Sequence, residues 1–215
     1  NGSVTRNAPY GDMAEAVAAS LGDVSVWGGG AGDSWRTTLA LDKCNAPHVV
    51  ATAGRAHVYG PFDSTGCTQT RGCGTWDDLG PSTGASADLM AMYPTFAFDA
   101  TTNLPVVAFS EAGSGFGYPS VRRWDGAAWD YVGLKGFHPY LVEHISLAID
   151  PTYGDIVVAF KDHAQNTAPC AFEADPSTTC TKASVMRWRG TNWEYMGSPG
   201  VSGSVVAVTF LTFSR

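Results

Sequence analysis

Two carboxylates stand at matching places in this sequence. Glu111 follows Val-Val-Ala-Phe-Ser, and Asp162 follows Val-Val-Ala-Phe-Lys. Paired carboxylates serve as acid and base in glycoside hydrolysis, so one hypothesis gives these two residues that role. The alternative is that both are solvated side chains at the ends of two strands. His163 directly follows Asp162, but without a partnered nucleophile the pair does not predict a catalytic triad.

Further residues of ligand-recognising types occur in the segments 111–119, 134–143 and 162–183. Aromatic rings stack on sugars, while acids and histidines hydrogen-bond to hydroxyls, so these segments predict a binding surface. For Phe116 and Phe137 the alternative is that the rings fold inward and fix their own loops. The candidate ligand-binding residues are Glu111, Phe116, Tyr118, Phe137, His138, Tyr140, Asp162 and His163.

A repeated tryptophan motif indicates which elements position these residues. The pattern S-V-x-R-W-x-G-x-x-W-[DE]-Y-x-G occurs at 120–133 and again at 184–197. Residues alternate up to the first Trp, an x-Gly pair turns the chain, and the second Trp begins the return, which predicts a β-hairpin. Repetition of a hairpin predicts a molecule built from copies of one unit.

The predicted unit has four strands, here called A to D. Strand A ends in Asp, strand B reads Val-Val-Ala-Phe, strand C ends in an aromatic residue, and strand D begins with Trp. In the copy that spans 38–80, Tyr59 takes the aromatic position of strand C. We expect each Asp to cap the A–B turn through its own side chain. The strand D tryptophans, predicted to pack between units, are Trp35, Trp76, Trp129 and Trp193.

Four-stranded repeats at intervals of about 40–50 residues are typical of β-propeller blades. We therefore predict an all-β fold: an N-terminal arm over 1–12 and one propeller domain over 13–215. Four blades are expected, sealed by pairing the C-terminal strand with the N-terminal blade; the alternative is an arc of a larger ring. The blades are approximately 13–38 with 204–213, 38–80, 93–133 and 144–197. The B–C and D–A loops, expected to be long, would open on one face and carry binding.

The chain resembles secreted β-propellers with tryptophan hairpins, broadly of the kelch, tectonin and sialidase-like kinds. No single one of these families fits. Ser110-Glu111 and Lys161-Asp162 stand where kelch repeats have a Gly-Gly doublet. The sialidase Asp-box is reduced to G-x-x-W, as at 126–129 and 190–193, so the resemblance does not imply sialidase activity.

Five cysteines suggest the compartment. Cys67 with Cys73, and Cys170 with Cys180, lie in loop-like sequence and predict two local disulfides, hence an extracellular protein. Their spacing does not predict a metal site. Cys44 is expected to be a buried free thiol or to bond to another chain. Asn1 begins a glycosylation sequon, compatible with secretion.

Composition narrows the function classes. A net charge of −7 without a basic run argues against nucleic acid and anionic membranes, and no apolar run is long enough to insert into a bilayer. We therefore expect a secreted, non-enzymatic binding or scaffold module that takes a glycan or protein partner and needs no cofactor. The alternatives are a structural subunit of an oligomer or larger cell-surface or matrix assembly, and a carbohydrate-active hydrolase using Glu111 and Asp162.

Overall fold

The protein is all-β in the part that its structure, a computed structural model, describes. That part covers residues 38–53, 55–63, 75–79, 85, 91–114, 116–167, 180–202 and 209, and it contains no helix. The all-β prediction is confirmed. Several predictions fall outside the described residues. They concern the arm over 1–12 with Asn1, most of the segments 13–38 and 204–213, and the side chains of the four cysteines expected in disulfides.

The described strands form three consecutive antiparallel units in which each strand pairs with the next. The predicted four-stranded repeat is therefore confirmed in three copies. A single bridge between Gly117 and Val142 joins the second unit to the third. The first unit comprises β1 (Thr38–Leu41), β2 (Pro47–Ala53), β3 (Arg55–Asp63) and β4 (Thr75–Asp78). The second comprises β5 (Ala91–Phe98), β6 (Pro105–Ser114), β7 (Phe116–Trp124) and β8 (Trp129–Tyr131). The third comprises β9 (Val142–Ile149), β10 (Ile156–Thr167), β11 (Cys180–Trp188) and β12 (Trp193–Tyr195).

The turn between the first two strands is capped by the side chain of its own aspartate in each unit, as predicted. In the second unit, the Asp99 carboxylate accepts hydrogen bonds from the backbone N–H groups of Thr101 and Thr102, at 2.8 and 3.0 Å. Asp42 and Asp150 accept the same kind of bond in their own turns. An Asx turn of this kind fixes the hairpin from within its own sequence.

The cores lie between neighbouring units, because successive residues of a strand point to opposite faces. Along β6, Val107 and Phe109 join a cluster shared with the first unit, whereas Val106 and Ala108 join a cluster shared with the third. All four side chains are essentially inaccessible to solvent. Each fully buried valine or phenylalanine stabilises the fold by about 1.5–3 kcal/mol, so a middle unit needs a neighbour on both faces.

The strand D tryptophans join each unit to the one before it, which confirms their predicted packing role for the described pairs. The indole N–H of Trp129 donates to the Leu79 carbonyl at 3.0 Å, and that of Trp193 donates to the Val132 carbonyl at 2.9 Å. Both acceptors lie three residues after the corresponding Trp of the preceding unit. The repeated motif thus contains the Trp that bonds its unit to the preceding one.

Two sequence-based expectations about strand ends are wrong. Residues 111–119 are mostly strand rather than a long loop, since β6 continues to Ser114 and β7 begins at Phe116. Pairing resumes beyond a bulge that follows Glu111, and the glycines of this segment conceal the alternation. In the first unit, Phe62 and not Tyr59 lies opposite Trp76, because an irregularity around Gly60 and Pro61 shifts the register.

Candidate functional site

Glu111 and Tyr118 are cross-strand neighbours rather than loop residues. They are paired across β6 and β7, so their side chains leave the sheet on the same face. Glu111 is buried, with 6% of its surface exposed, while Tyr118 is 48% exposed. The expectation of a solvated Glu111 is therefore wrong, and the pair presents an exposed ring above a buried carboxylate.

The Glu111 carboxylate is held by three side chains. The Tyr131 hydroxyl donates to Oε1 at 2.8 Å, and the Ser120 hydroxyl donates to Oε2 at 3.2 Å. The Lys135 ammonium lies 3.5 Å from Oε2. Ser120 also accepts a bond from the backbone N–H of Gly136 at 3.0 Å. We call these five residues the Glu111 network, which compensates a buried charge through hydrogen bonds and one ion pair.

Asp162 occupies the matching position in the third unit and is fully buried. Its Oδ2 accepts from the Ser184 hydroxyl at 2.6 Å, and Ser184 accepts from the backbone N–H of Gly200 at 2.9 Å. These contacts repeat those of Ser120 and Gly136. The expectation of a solvated Asp162 is wrong as well. Carboxylate, serine and glycine form the same structural device in both units.

The third unit differs because a histidine from the preceding loop enters the site. His138 Nε2 lies 2.8 Å from the Tyr195 hydroxyl and 3.6 Å from Asp162 Oδ2. Tyr195 takes the motif position of Tyr131. His138 is only 1% exposed and packs beside Phe160, so it fills the space over Asp162. We call Asp162, Ser184, Gly200, His138 and Tyr195 the Asp162 network.

One loop, residues 132–141, connects the two networks. Phe137 stacks on Trp193 of the third unit with ring centroids 4.1 Å apart, and His138 is bonded in the Asp162 network. On its other side, the Gly136 N–H bonds Ser120 and the Phe137 N–H donates to the Pro119 carbonyl at 3.1 Å. The inward alternative for Phe137 is confirmed. Because both sides of the loop are anchored, its surface is preformed.

A pocket of about 400 Å³ opens over the Glu111 network. Its lining combines an exposed aromatic ring, a proline ring, a cation and a buried carboxylate. Such a mixture of apolar walls and a few convergent polar groups is typical of ligand sites. The described lining residues are Glu111, Tyr118, Lys135, Gly136 and Pro139.

The tyrosines of the two networks have altered acidity. Burial, followed by the hydrogen bond and charge of Glu111, raises the pKa of Tyr131 to about 12. Burial, followed by the charges of Asp162 and Tyr140, raises the pKa of Tyr195. Both phenols are therefore neutral at physiological pH. Tyr131 acts as the donor and Glu111 as the acceptor in their bond.

The other residues singled out in the sequence do not line the pocket or lie outside the described residues. Tyr140 is 55% exposed on the same loop but does not line the pocket. His163 Nε2 lies 3.1 Å from Glu143, which also pairs with Lys161 at 2.9 Å. The Phe116 side chain lies outside the described residues. Cys44 is exposed with a free thiol, so the expectation of a buried thiol is wrong, while a bond to another chain stays a prediction.

Sequence reasoning missed Ser120, Tyr131 and Lys135 as parts of the site. For Ser120 and Tyr131 a signal existed, because Ser and Tyr are both letters of the repeated hairpin motif and recur as Ser184 and Tyr195. A polar residue repeated beside packing tryptophans indicates a repeated hydrogen bond. Lys135 has no such signal, since Pro199 stands at the corresponding position of the third unit.

The described residues contain no group of three or more His, Cys, Asp or Glu side chains that could hold a metal ion. Within the same ranges no helix is long and apolar enough to cross a membrane. Comparisons of the chain with protein-family models, curated proteins and solved structures found no match.

Proposed function

We propose that this protein is a non-enzymatic extracellular binding module, and that the pocket over the Glu111 network is its ligand site. The ligand is a glycan or a segment of a partner protein. The observation that carries the proposal is the pocket where the exposed Tyr118 ring and Glu111, from two paired strands, meet Lys135 and Pro139 of a loop anchored at both sides. A preformed site lowers the ordering cost of binding.

A β-propeller is the architecture that we propose for the whole chain. Its support comes from three consecutive four-stranded units whose first strands lie side by side: β5 contacts both β1 and β9. Thr209 donates to the His144 carbonyl of β9, so the C-terminal segment reaches the first strand of the third unit. A fourth unit completed by that segment would close a ring, while the alternative remains an arc of a larger one.

The hydrolase hypothesis receives less support from the same geometry. Asp162 has no exposed surface and lies beneath His138, so a substrate could not reach it without displacing that side chain. A general acid or base must lie within hydrogen-bond reach of the reacting atom, and a buried Asp162 does not.

A protein partner is the second candidate for the ligand, since exposed apolar side chains lie on the same loop as Lys135 and Pro139 of the pocket. Leu134 is 78% exposed, Tyr140 is 55% exposed and Leu141 is 36% exposed. Clustered exposed apolar residues are typical of protein-binding surfaces. The structural-subunit hypothesis would use the same surface, or Cys44, to join neighbouring copies.

A binding panel with matched variants tests the proposal. Native mass spectrometry comes first: a ring closed within one chain gives a monomer, whereas an arc gives a multimer. The protein is then applied to a glycan array and to an array of secreted proteins.

Tyr118→Ala should weaken the strongest interaction at least tenfold, the range of one lost ring contact of about 1.5 kcal/mol. Tyr153→Ala, an equally drastic change at a 78% exposed tyrosine of the β9–β10 turn, is the control and should bind normally. Equal binding by both variants would contradict the proposed site.

A further inference from the structure

We infer that the pocket selects a neutral pyranose, recognised by two adjacent hydroxyl groups at the Lys135–Glu111 pair and by a C–H face against Tyr118. This inference rests on the proposed binding function and adds the class of ligand. It depends on the charge balance, the hydrogen-bonding capacity and the apolar wall of the pocket.

The charge balance favours a neutral ligand. Lys135 and Glu111 carry opposite charges 3.5 Å apart, so the pair as a whole is neutral. An anion hydrogen-bonded to the Lys135 ammonium would lie within about 6 Å of the Glu111 carboxylate, where like charges repel strongly in a partly buried site. A sugar acid would therefore lose at Glu111 much of what it gained at Lys135.

The hydrogen-bonding capacity of the pair matches a diol. A carboxylate offers about four acceptor positions, of which Tyr131, Ser120 and Lys135 use three, and the ammonium of Lys135 is a hydrogen-bond donor. A hydroxyl accepts and donates at once. One hydroxyl can accept from Lys135 while its neighbour donates to Glu111, and the short separation of the two charged groups suits adjacent hydroxyls. Hydrogen bonds to charged groups are the stronger kind.

The apolar wall supplies the second half of the recognition. Tyr118 is held at its base, since its Cβ lies 3.2 Å from where a side chain on Gly136 would begin. Gly136 also adopts φ +61°, a conformation that side chains disfavour. Its lack of a side chain thus lets the loop pass close to Tyr118, and Pro139 of the same loop also lines the pocket. A pyranose has one apolar C–H face and a polar rim, which match the apolar and the charged groups of this lining.

Titration of small saccharides tests this inference. The unmodified protein is titrated by NMR with methyl hexopyranosides, with their monodeoxy analogues and with the corresponding hexuronic acids. We expect a neutral pyranoside to bind at least tenfold more tightly than its acid, and removal of either recognised hydroxyl to weaken binding about tenfold or more. Lys135→Met should cause a similar loss. Lys161→Met is the control, because Lys161 pairs with Glu143 at 2.9 Å outside the pocket, and it should bind as the unmodified protein does.

The outcomes separate the inference from the proposed function. Tighter binding of the acids, or unchanged binding by Lys135→Met, would overturn the neutral-diol assignment while leaving a saccharide site that depends on Tyr118. Absence of saccharide binding, with a protein captured in a Tyr118-dependent manner, would also overturn the assignment and leave the binding function intact. No ligand of either kind for a folded protein would overturn both.

Discussion

The second and third units carry the same carboxylate–serine–glycine device, and the pocket described above opens over the one in the second unit. Around Glu111 the polar partners come from its own unit and the following loop, and the space above remains accessible. Around Asp162 that space holds His138, which the preceding unit contributes. Glu111 and Asp162 therefore occupy equivalent sequence positions but differ in accessibility, because the preceding unit inserts His138 over Asp162.

The two carboxylates share one set of contacts and differ in the rest. A buried carboxylate that accepts bonds from a serine holds the strand B and strand C ends together in both units. In the third unit Asp162 has two further polar contacts, with His138 and with the Ala164 N–H. In the second unit Lys135, itself largely exposed, pairs with the buried carboxylate and lines the pocket above it. The same residue types thus lie in a sealed interior in one unit and beneath a pocket in the other.

The largest expected effect comes from removing the ring that anchors the loop to the third unit. Trp193→Ala should lower the free energy of unfolding by about 3 kcal/mol, because it deletes a large, partly buried ring, the stack on Phe137 and the bond to Val132. Chemical denaturation measures the change. Trp193→Phe is the matched variant: it keeps a stacking ring and loses chiefly the N–H donor, for about 1 kcal/mol. Equal losses in both variants would show that the stack contributes little.

A direct comparison of the two carboxylates should give an intermediate effect. Asp162→Ala should destabilise the fold by about 2–3 kcal/mol, because Ser184 and the Ala164 N–H then lack an acceptor in a dry interior. Glu111→Ala should cost only about 1 kcal/mol, since pocket water can replace the lost acceptor. Urea denaturation of the two variants checks the order. The reverse order would contradict the assignment of one site as closed and the other as open.

The smallest expected effect concerns the tyrosine that distinguishes the open site. Tyr131→Phe removes the donor to Glu111 and should cost about 1 kcal/mol at neutral pH. The folded pKa of Tyr131, about 12, is above the ordinary value near 10. The stabilising contribution is thus fully present below about pH 10 and is lost as pH rises toward 12.

Unfolding measurements across that alkaline range test the sign. The difference between the unmodified protein and Tyr131→Phe should stay constant up to about pH 10 and then shrink. Phenolate absorbance should show one late-titrating tyrosine fewer in the variant. A difference that grows with pH would contradict the proposed direction of the bond.

Much of the fold was predictable because its determinants are local or periodic. Asp99 caps a turn with its own side chain, and the Trp129 and Trp193 motifs repeat at a fixed place in the unit. The end of β6 was not predictable, since glycine and a bulge concealed the continued pairing of Glu111 with Tyr118. Nor was the burial of His138, because its partners Tyr195 and Asp162 are distant in sequence.

The all-β repeats of four strands, the capped turns and the equivalence of Glu111 with Asp162 follow from the amino-acid sequence alone. Those features depend on neighbouring residues and on the two-residue period of a strand. That Glu111 faces a pocket while Asp162 is sealed emerges only in the folded chain. Accessibility is a property of packing between units, and the loop that creates it presents Lys135 to one network and His138 to the other.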